Sequence, residues 1–444
     1  MPSSSDVTLE SLGQEVQNLS LKVAEYLKQG SIPAPSFQEN SPAFYPKEAE
    51  CQIARLELLS KLQDLTALAL GPGEYLTAQV VYGSIDVLIL SLLQQLDFFN
   101  AVPLGGSATY EDVSGHTKLP ESLVRRILRY AMTMRLFAEK EPNSDSIVHT
   151  GITAHAVRSP EFQAWLWHIS IVRPAFHILP DVLRKLYVDG SRQEVSETEL
   201  ESAFCILDPD RTGKPTTHFE FLQHEQPGRP QGWREAMFSQ AMSSGRHMPG
   251  LHLEQLVRSS FDWAGLGTGA TVVDIGGSGG HDAAVLAQSF GNLTLVVQDR
   301  PEQEASFERT VPTELRSRVT FQPHDFFAPQ PVSGANVYML KHVLHDWPDS
   351  KAVEILRNVA PAMVSPSQRI VLYEHAASGA HPVPTNITRT IAAMDMAMLT
   401  MGNGKERSLQ DWEVLVAKVG SGLKLLRCHS LPGATASFLE IGLE

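Results

Sequence analysis

The sequence predicts an α/β protein, with a doubly wound, largely parallel sheet in its C-terminal half and an α-helical winged-helix module before it. Three observations carry this. From Thr271 onward, short apolar runs alternate with helical stretches, as βαβ units require. The first of these runs ends in Gly276-Gly277-Ser278-Gly279-Gly280, ahead of a helical segment. Before residue 150, successive helical periodicities close on the turn Pro142-Asn143-Ser144-Asp145.

Composition sets outer bounds. A chain of 444 residues exceeds the roughly 100–200 of one typical domain. With 43% hydrophobic and 19% charged residues, it is a folded globular chain. Lys and Arg total 36 against 50 Asp and Glu, a formal charge of −14, which argues against a nucleic-acid partner. Cys51, Cys205 and Cys428 are far apart and odd in number, so no disulfide framework or zinc spacing is expected and a reducing cytoplasmic location is. Met1–Asn18 is polar and lacks a secretory core. No apolar run reads as long enough to span a bilayer, so no membrane partner is expected.

The elements follow in order. Residues 1–44 hold a polar helical pattern, Leu9 to Leu27, and lead into a Pro/Ser/Asn-rich stretch; together they read as a flexible N-terminal extension. Residues 45–157 read as the winged-helix dimerisation domain. A helix around Ile53–Leu65 breaks at Gly71-Pro72-Gly73, Tyr82–Phe99 is strongly apolar, and helices from Thr109 and over Glu121–Met134 precede the turn. Arg125, Arg126 and Arg129 invite a DNA-binding reading, which the acidity of the chain opposes. Tyr82–Phe99 is apolar on more than one face, more than a small module buries, and this predicts a homodimer. Residues 158–265 read as a mostly helical segment. Within it Asp208-Pro209-Asp210 resembles the start of a calcium loop, which fails because the twelfth position is Phe219. Residues 266–444 form the sheet domain, with strands at Thr271–Ile275, Leu293–Gln298, Val319–Pro323, Asn336–Leu340 and Arg369–Glu374.

Candidate chemistry lies at the ends of these strands, where open α/β sheets place their ligands. Gly276 and Gly277 let the backbone approach a ligand closely, with a helix N-terminus behind them. The pattern fails the dinucleotide fingerprint, and Asp274 suits a ligand bearing an ammonium group better than a pyrophosphate. Asp299 ends the next strand, where a carboxylate accepts ribose hydroxyls. Asp325 and Phe326 follow the third and suit an adenine edge and face. Then come Lys341, His342, His345 and Asp346-Trp347. His345 has the chemistry to take a proton from a phenol. His342 and His345 have no evident companion ligand set in the sequence, so no metal is expected. Glu374 ends the fifth strand and Glu406 lies in Gly404-Lys405-Glu406-Arg407.

The ordered set Asp-x-Gly-Gly, Gln-Asp, Asp-Phe-Phe, Leu-Lys-x-x-Leu-His-Asp-Trp and Gly-Lys-Glu-Arg resembles the caffeate- and flavonoid-type O-methyltransferases and their fungal secondary-metabolite relatives, over roughly residues 70–430. The resemblance implies a Rossmann-like methyltransferase domain over 266–444 that binds S-adenosyl-L-methionine, and a winged-helix dimerisation domain. It implies cofactor contacts from Asp274, Gly276, Gly277, Asp299, Asp325, Phe326 and Lys341, and His345 as general base flanked by Glu374 and Glu406. Met237, Phe238 and Met242 would line the cofactor and substrate cavity. The activity implied is methylation of a hydroxyl on a small phenolic or polyketide-derived metabolite. The alternative is an S-adenosylmethionine-binding pericyclase or dehydratase on the same fold. In those relatives the histidine before the Asp is typically a cation; here it is His345.

Overall fold

The computed structural model describes residues 7–46, 48–243, 257–375, 384–431 and 434–444. The expectation for the N-terminus lies outside the described residues over 1–6. The chain divides into two compact units, Met1–Ser170 with Pro384–Asn386, and Ile171–Val383 with Ile387–Glu444.

In the first unit, Thr8 caps a helix over Leu9–Gln29 by accepting from the Ser11 N–H. Its apolar stripe buries Leu12, Val23 and Leu27, and the last two share a small core with Ala54. The expectation that 1–44 is a flexible extension is therefore corrected over this helix, because the stripe has a partner. The next helix, Ala49–Gln95, meets its expected break as a kink at Gly71, whose φ of 67° is not helical. Pro72 then opens the second segment, where a missing N–H removes no helical bond. Because the helix resumes at once, its apolar stretches join, and by length and composition it is long enough to cross a membrane. This corrects the expectation that no apolar run is long enough. Leu76, Val80, Val81, Tyr82 and Leu88 are exposed on it.

Helices Tyr110–Thr117 and Glu121–Thr133 follow. A small antiparallel sheet is built from β1 (Ala108–Thr109), β2 (Ala138–Glu139) and β3 (Ser146–Val148), in the order β1-β3-β2. Leu93, Phe98, Val113, Leu128 and Ile147 form the core of this region. Arg125 is held by Glu121 at 2.6 Å and Asp145 at 2.9 Å, and lies over the Tyr110 ring.

In the second unit the chain is less regular over 184–243 than expected. The helix Pro160–Leu183 passes into a π-helical turn, Arg184–Asp189, and only short helices follow before Trp233–Ser243. Asp210 is gripped by both terminal nitrogens of Arg234, each at 2.8 Å, and by His224 at 2.7 Å, so this carboxylate serves as an internal clamp.

The large sheet has the order β6-β5-β4-β7-β8-β10-β9. β4 (Ala270–Ile275), β5 (Leu293–Asp299), β6 (Val319–Pro323), β7 (Val337–Lys341) and β8 (Arg369–Glu374) run parallel, each within a residue of its predicted bounds. β9 (Leu423–Ser430) and β10 (Ser437–Leu443) form an antiparallel hairpin that the sequence reading did not contain. Alternate residues of each strand serve opposite faces. Val273, Leu340 and Leu372 pack against helices Asp349–Val359 and Leu409–Val419, while Val272, Leu295 and Val371 pack against helix His281–Ser289 and Trp263.

Candidate active site

The ends of β4 and β5 build one half of the site. After Ile275 the backbone turns at Gly276, with φ 73°. A Cβ there would lie 2.8 Å from a Val343 methyl, and one on Gly277 would lie 2.5 Å from the Asp274 carboxylate. Only glycine permits this path. Asp274 is 2% exposed, and among the described residues its Oδ2 has no hydrogen-bond partner. Burial, reinforced by the Asp282 charge, pushes its carboxyl up to about 8. Asp299 accepts the Ser278 N–H at 2.9 Å and the Arg300 N–H at 2.8 Å, which fixes its carboxylate beside the glycine loop. Ser239 lies 3.0 Å from Ser278 and 3.2 Å from Ser306, tying helix Trp233–Ser243 to that loop.

The structure thus brings Asp274, Gly276, Gly277 and Asp299 together. Lys341, ending β7, is engaged by Asp282 at 2.5 Å. Asp282 was missed by sequence reasoning. Its signal was an acidic residue in the first turn of the helix behind the glycines, where the helix dipole favours negative charge. Asp325, after the edge strand β6, is exposed and accepts the Phe327 N–H at 2.9 Å. Phe326 meets Trp347 edge-on at 5.9 Å, and Trp347 stacks on Phe219 at 5.5 Å. Phe238 joins this aromatic wall through Phe219 at 6.2 Å, while Met242 on the same helix is exposed.

The second half of the site is built on the turn after β7. His342 takes a left-handed conformation, φ 49°, and a 3-10 turn over Leu344–Asp346 then presents His345, which is 6% exposed. His345 Nδ1 lies 2.7 Å from Glu406 Oε1. The acceptor there assigns the Nδ1 proton and leaves Nε2 as the basic nitrogen. Fully buried Glu374 accepts the Leu344 N–H at 2.9 Å, fixing the start of the turn. Asp346 Oδ1 is 3.6 Å from Nε2. Burial pushes the imidazole toward its neutral form, but Glu406, Asp346 and Glu374 outweigh it and hold His345 up at about 10. Burial lifts Glu374 to about 7 against the opposing pull of His345.

The Gly-Lys-Glu-Arg segment explains itself in this geometry. A Cβ on Gly404 would collide with the His345 carbonyl oxygen, so the two backbones touch only because residue 404 is glycine. Arg407, 1% exposed, donates to the carbonyls of Leu344 and Trp347, both at 2.8 Å, and to Asp349 at 2.9 Å. It clamps both ends of the turn that carries His345. In the sequence Arg407 is one residue of the Gly404-Lys405-Glu406-Arg407 motif, and only the fold shows the carbonyls it meets.

The reason for expecting no metal is also corrected. The fold supplies the companion carboxylate that the sequence did not reveal, since donor atoms of His342, His345 and Glu374 all lie within 4.8 Å of one another. His375 stands beside them, its ring centre 4.7 Å from that of His342.

A family model for an O-methyltransferase domain matches residues 231–421. The O-methyltransferase pgmB of Aspergillus terreus is 31% identical over 444 residues, covering 98% of this chain and 96% of the relative. Among solved structures, OxaC superposes with a TM-score of 0.75 at 20% identity, over 98% of this chain and 99% of that one. A structure described as a pericyclic reaction enzyme gives 0.72 at 21% identity, over 97% and 100%. At such identities these two structures speak for the shared fold alone. The match to pgmB runs nearly the full length of both chains, and the family model spans the strands that bear the site. On these grounds the chain belongs to the S-adenosylmethionine-dependent O-methyltransferase family.

Proposed function

We propose that the enzyme methylates a hydroxyl of a small secondary metabolite, phenolic or polyketide-derived, with His345 as general base. The observation that carries this reading is the buried His345–Glu406 hydrogen bond, 2.7 Å, which leaves Nε2 to accept a proton. S-adenosylmethionine, when bound, supplies an electrophilic methyl on a sulfonium centre. The donor set fits it. The unpartnered Asp274 oxygen suits its ammonium group and Asp299 its ribose hydroxyls. Asp325 and Phe326 suit its adenine, and Gly276 and Gly277 keep the backbone open to it. Lys341 acts beside them through Asp282.

His345 Nε2 takes the hydroxyl proton as the substrate oxygen attacks. Glu406 orients the ring and stabilises the imidazolium, and Glu374 holds the turn beneath it. Phe219, Phe238 and Trp347 offer a wall for a flat substrate, and Met237 and Met242 come from the same helix as Phe238. Residues 158–265 would shape this substrate side. Cys51, Cys205 and Cys428 are free thiols, in keeping with a cytoplasmic location.

The test is to incubate the chain with labelled S-adenosylmethionine and an extract of its producing organism. Labelled product and S-adenosylhomocysteine are expected together. A product formed without S-adenosylhomocysteine would transfer the assignment to the pericyclase or dehydratase reading.

Two further outcomes follow from the geometry. Asp274 is protonated below about 8 in the free enzyme, and a bound ammonium favours its ionised form. Cofactor binding at neutral pH should therefore release a proton, and affinity should rise with pH until that proton is gone. Calorimetric enthalpies that differ among buffers would register the release, and Asp274→Asn should abolish the difference; equal enthalpies in all buffers would detach the ammonium from Asp274.

The winged-helix region, 45–157, should form a homodimer, because Leu76, Val80, Tyr82 and Leu88 leave an apolar strip uncovered in one copy. Sedimentation at micromolar concentration should give a dimer. A monomer that partitions onto phosphatidylcholine vesicles would instead assign the strip to a membrane.

A further inference from the structure

We infer that His342, His345 and Glu374 form a binding site for a divalent transition-metal ion of the zinc class, and that its occupation silences the base. The silencing half rests on the reading of His345 as general base; the binding half does not. Two imidazoles and a carboxylate are a donor set that zinc-class ions prefer over calcium or magnesium. Their donor atoms already lie within 4.8 Å of one another, although they come from the turn after β7 and the end of β8.

The hydrogen bonds of His345 and Glu374 each leave one donor atom uncommitted among the described residues. His345 commits Nδ1 to Glu406, so Nε2 is its free donor, and Glu406 becomes the outer carboxylate that commonly braces a metal-bound histidine. Glu374 commits Oε1 to the Leu344 N–H, and its Oε2 is buried with no hydrogen-bond partner among the described residues. Asp346 Oδ1, 3.6 Å from His345 Nε2, is a candidate fourth donor. Carboxylate oxygens of Glu406 and Asp346 lie 2.7 Å from Nδ1 and 3.6 Å from Nε2 of His345, so oxygen donors flank the ring on both sides. Tetrahedral zinc at about 2.0–2.1 Å from its ligands needs donors roughly 3.3 Å apart, so the side chains must draw in by at most about 1.5 Å. His342 is only half-buried, which leaves an approach from solvent.

An ion on His345 Nε2 occupies the lone pair that would take the substrate proton. Metal and substrate hydroxyl are thus mutually exclusive, and free zinc should act as a reversible inhibitor relieved by a chelator.

The test uses the chelator-treated full chain titrated with zinc chloride by calorimetry. Saturable binding of one ion per chain and a raised melting temperature are expected. His342→Asn tolerates the left-handed backbone, and Glu374→Gln keeps the acceptor for the Leu344 N–H. Each should weaken zinc binding by at least the roughly 100-fold that loss of an outer-shell partner can already cost. His342→Asn should also make S-adenosylhomocysteine without zinc, yet resist inhibition by it. Absence of saturable binding in the wild type, or wild-type zinc affinity in both variants, would overturn the site. One-to-one binding that leaves turnover unchanged would keep the site and overturn the silencing role.

Discussion

His345→Ala is expected to lower turnover by roughly 10²–10⁴, the usual contribution of a positioned general base. Cofactor affinity should stay close to that of the wild type, because the groups assigned to S-adenosylmethionine, Asp274, Gly276, Gly277, Asp299, Asp325, Phe326 and Lys341, stand at or just after the ends of β4 to β7 and do not include His345. The pH profile separates loss of a base from loss of structure. In the wild type, Glu406, Asp346 and Glu374 hold the His345 proton up at about 10. The reactive complex has lost that proton, so turnover should climb through the neutral range toward alkaline pH, by up to about tenfold per unit while proton loss is limiting. In the alanine variant only ionisation of the substrate hydroxyl, about 10 for a phenol, brings the rate back. S-adenosylhomocysteine production measured across pH for both proteins checks this. Wild-type turnover in the variant, or a flat wild-type profile, would remove His345 from the role of base.

Arg407→Met should destabilise the second unit by about 3–5 kcal/mol, the range for breaking a buried ion pair from one side. The guanidinium is fully buried and satisfies two main-chain carbonyls besides Asp349, and methionine offers none of those donors. Lysine keeps the charge but not the planar fork, so Arg407→Lys should recover only part of the loss. Because Arg407 spans Leu344 and Trp347, activity in either variant should fall further than the folded fraction does. Denaturant midpoints alongside S-adenosylhomocysteine production will separate the two effects. A variant within about 0.5 kcal/mol of the wild type, the scatter of ordinary surface changes, would show that the turn holds itself.

The parallel strands were legible because each is a short β-branched run bounded by turn residues, and β4 to β8 repeat that pattern five times. β9 and β10 were not. β9 is exposed at half of its residues and mixes Lys424 and Arg427 with leucines, so its alternation is weak, and β10 is identified by its pairing with β8 and β9. In the site, the sequence identified residues that stand at strand ends, such as Asp274, Asp299 and Glu374, since their positions follow from the strands themselves. It did not reveal what those residues touch. That His345 meets Glu406 across sixty-one residues and that Glu374 comes within ligand distance of His342 depend on how β7, β8 and the Gly404 loop approach one another, and that Lys341 meets Asp282 across fifty-nine depends on β7 lying beside β4. The helix over Leu9–Gln29 was legible from its period, but its packing was not, because its polar composition hid a stripe whose partner lies beyond the intervening linker.

The order of strands in the sheet carries a consequence for how the enzyme is made. β8, with the apolar run Ile370–Tyr373, is flanked by β7 on one side and by β10 on the other, and β10 is the last of the described strands in the chain. During synthesis the parallel core is complete once β8 has left the ribosome, while its outer edge stays open until β10 emerges nearly seventy residues later. An unpaired apolar edge of this kind is a template for association with other nascent chains. Arg407 and Glu406 also emerge within that interval, so the turn bearing His345 is unclamped while the edge is bare. Termination between β8 and Glu406 would therefore yield a product that lacks the partners of the His345 turn and carries a bare edge, whereas termination between Arg407 and β10 would leave the edge bare alone.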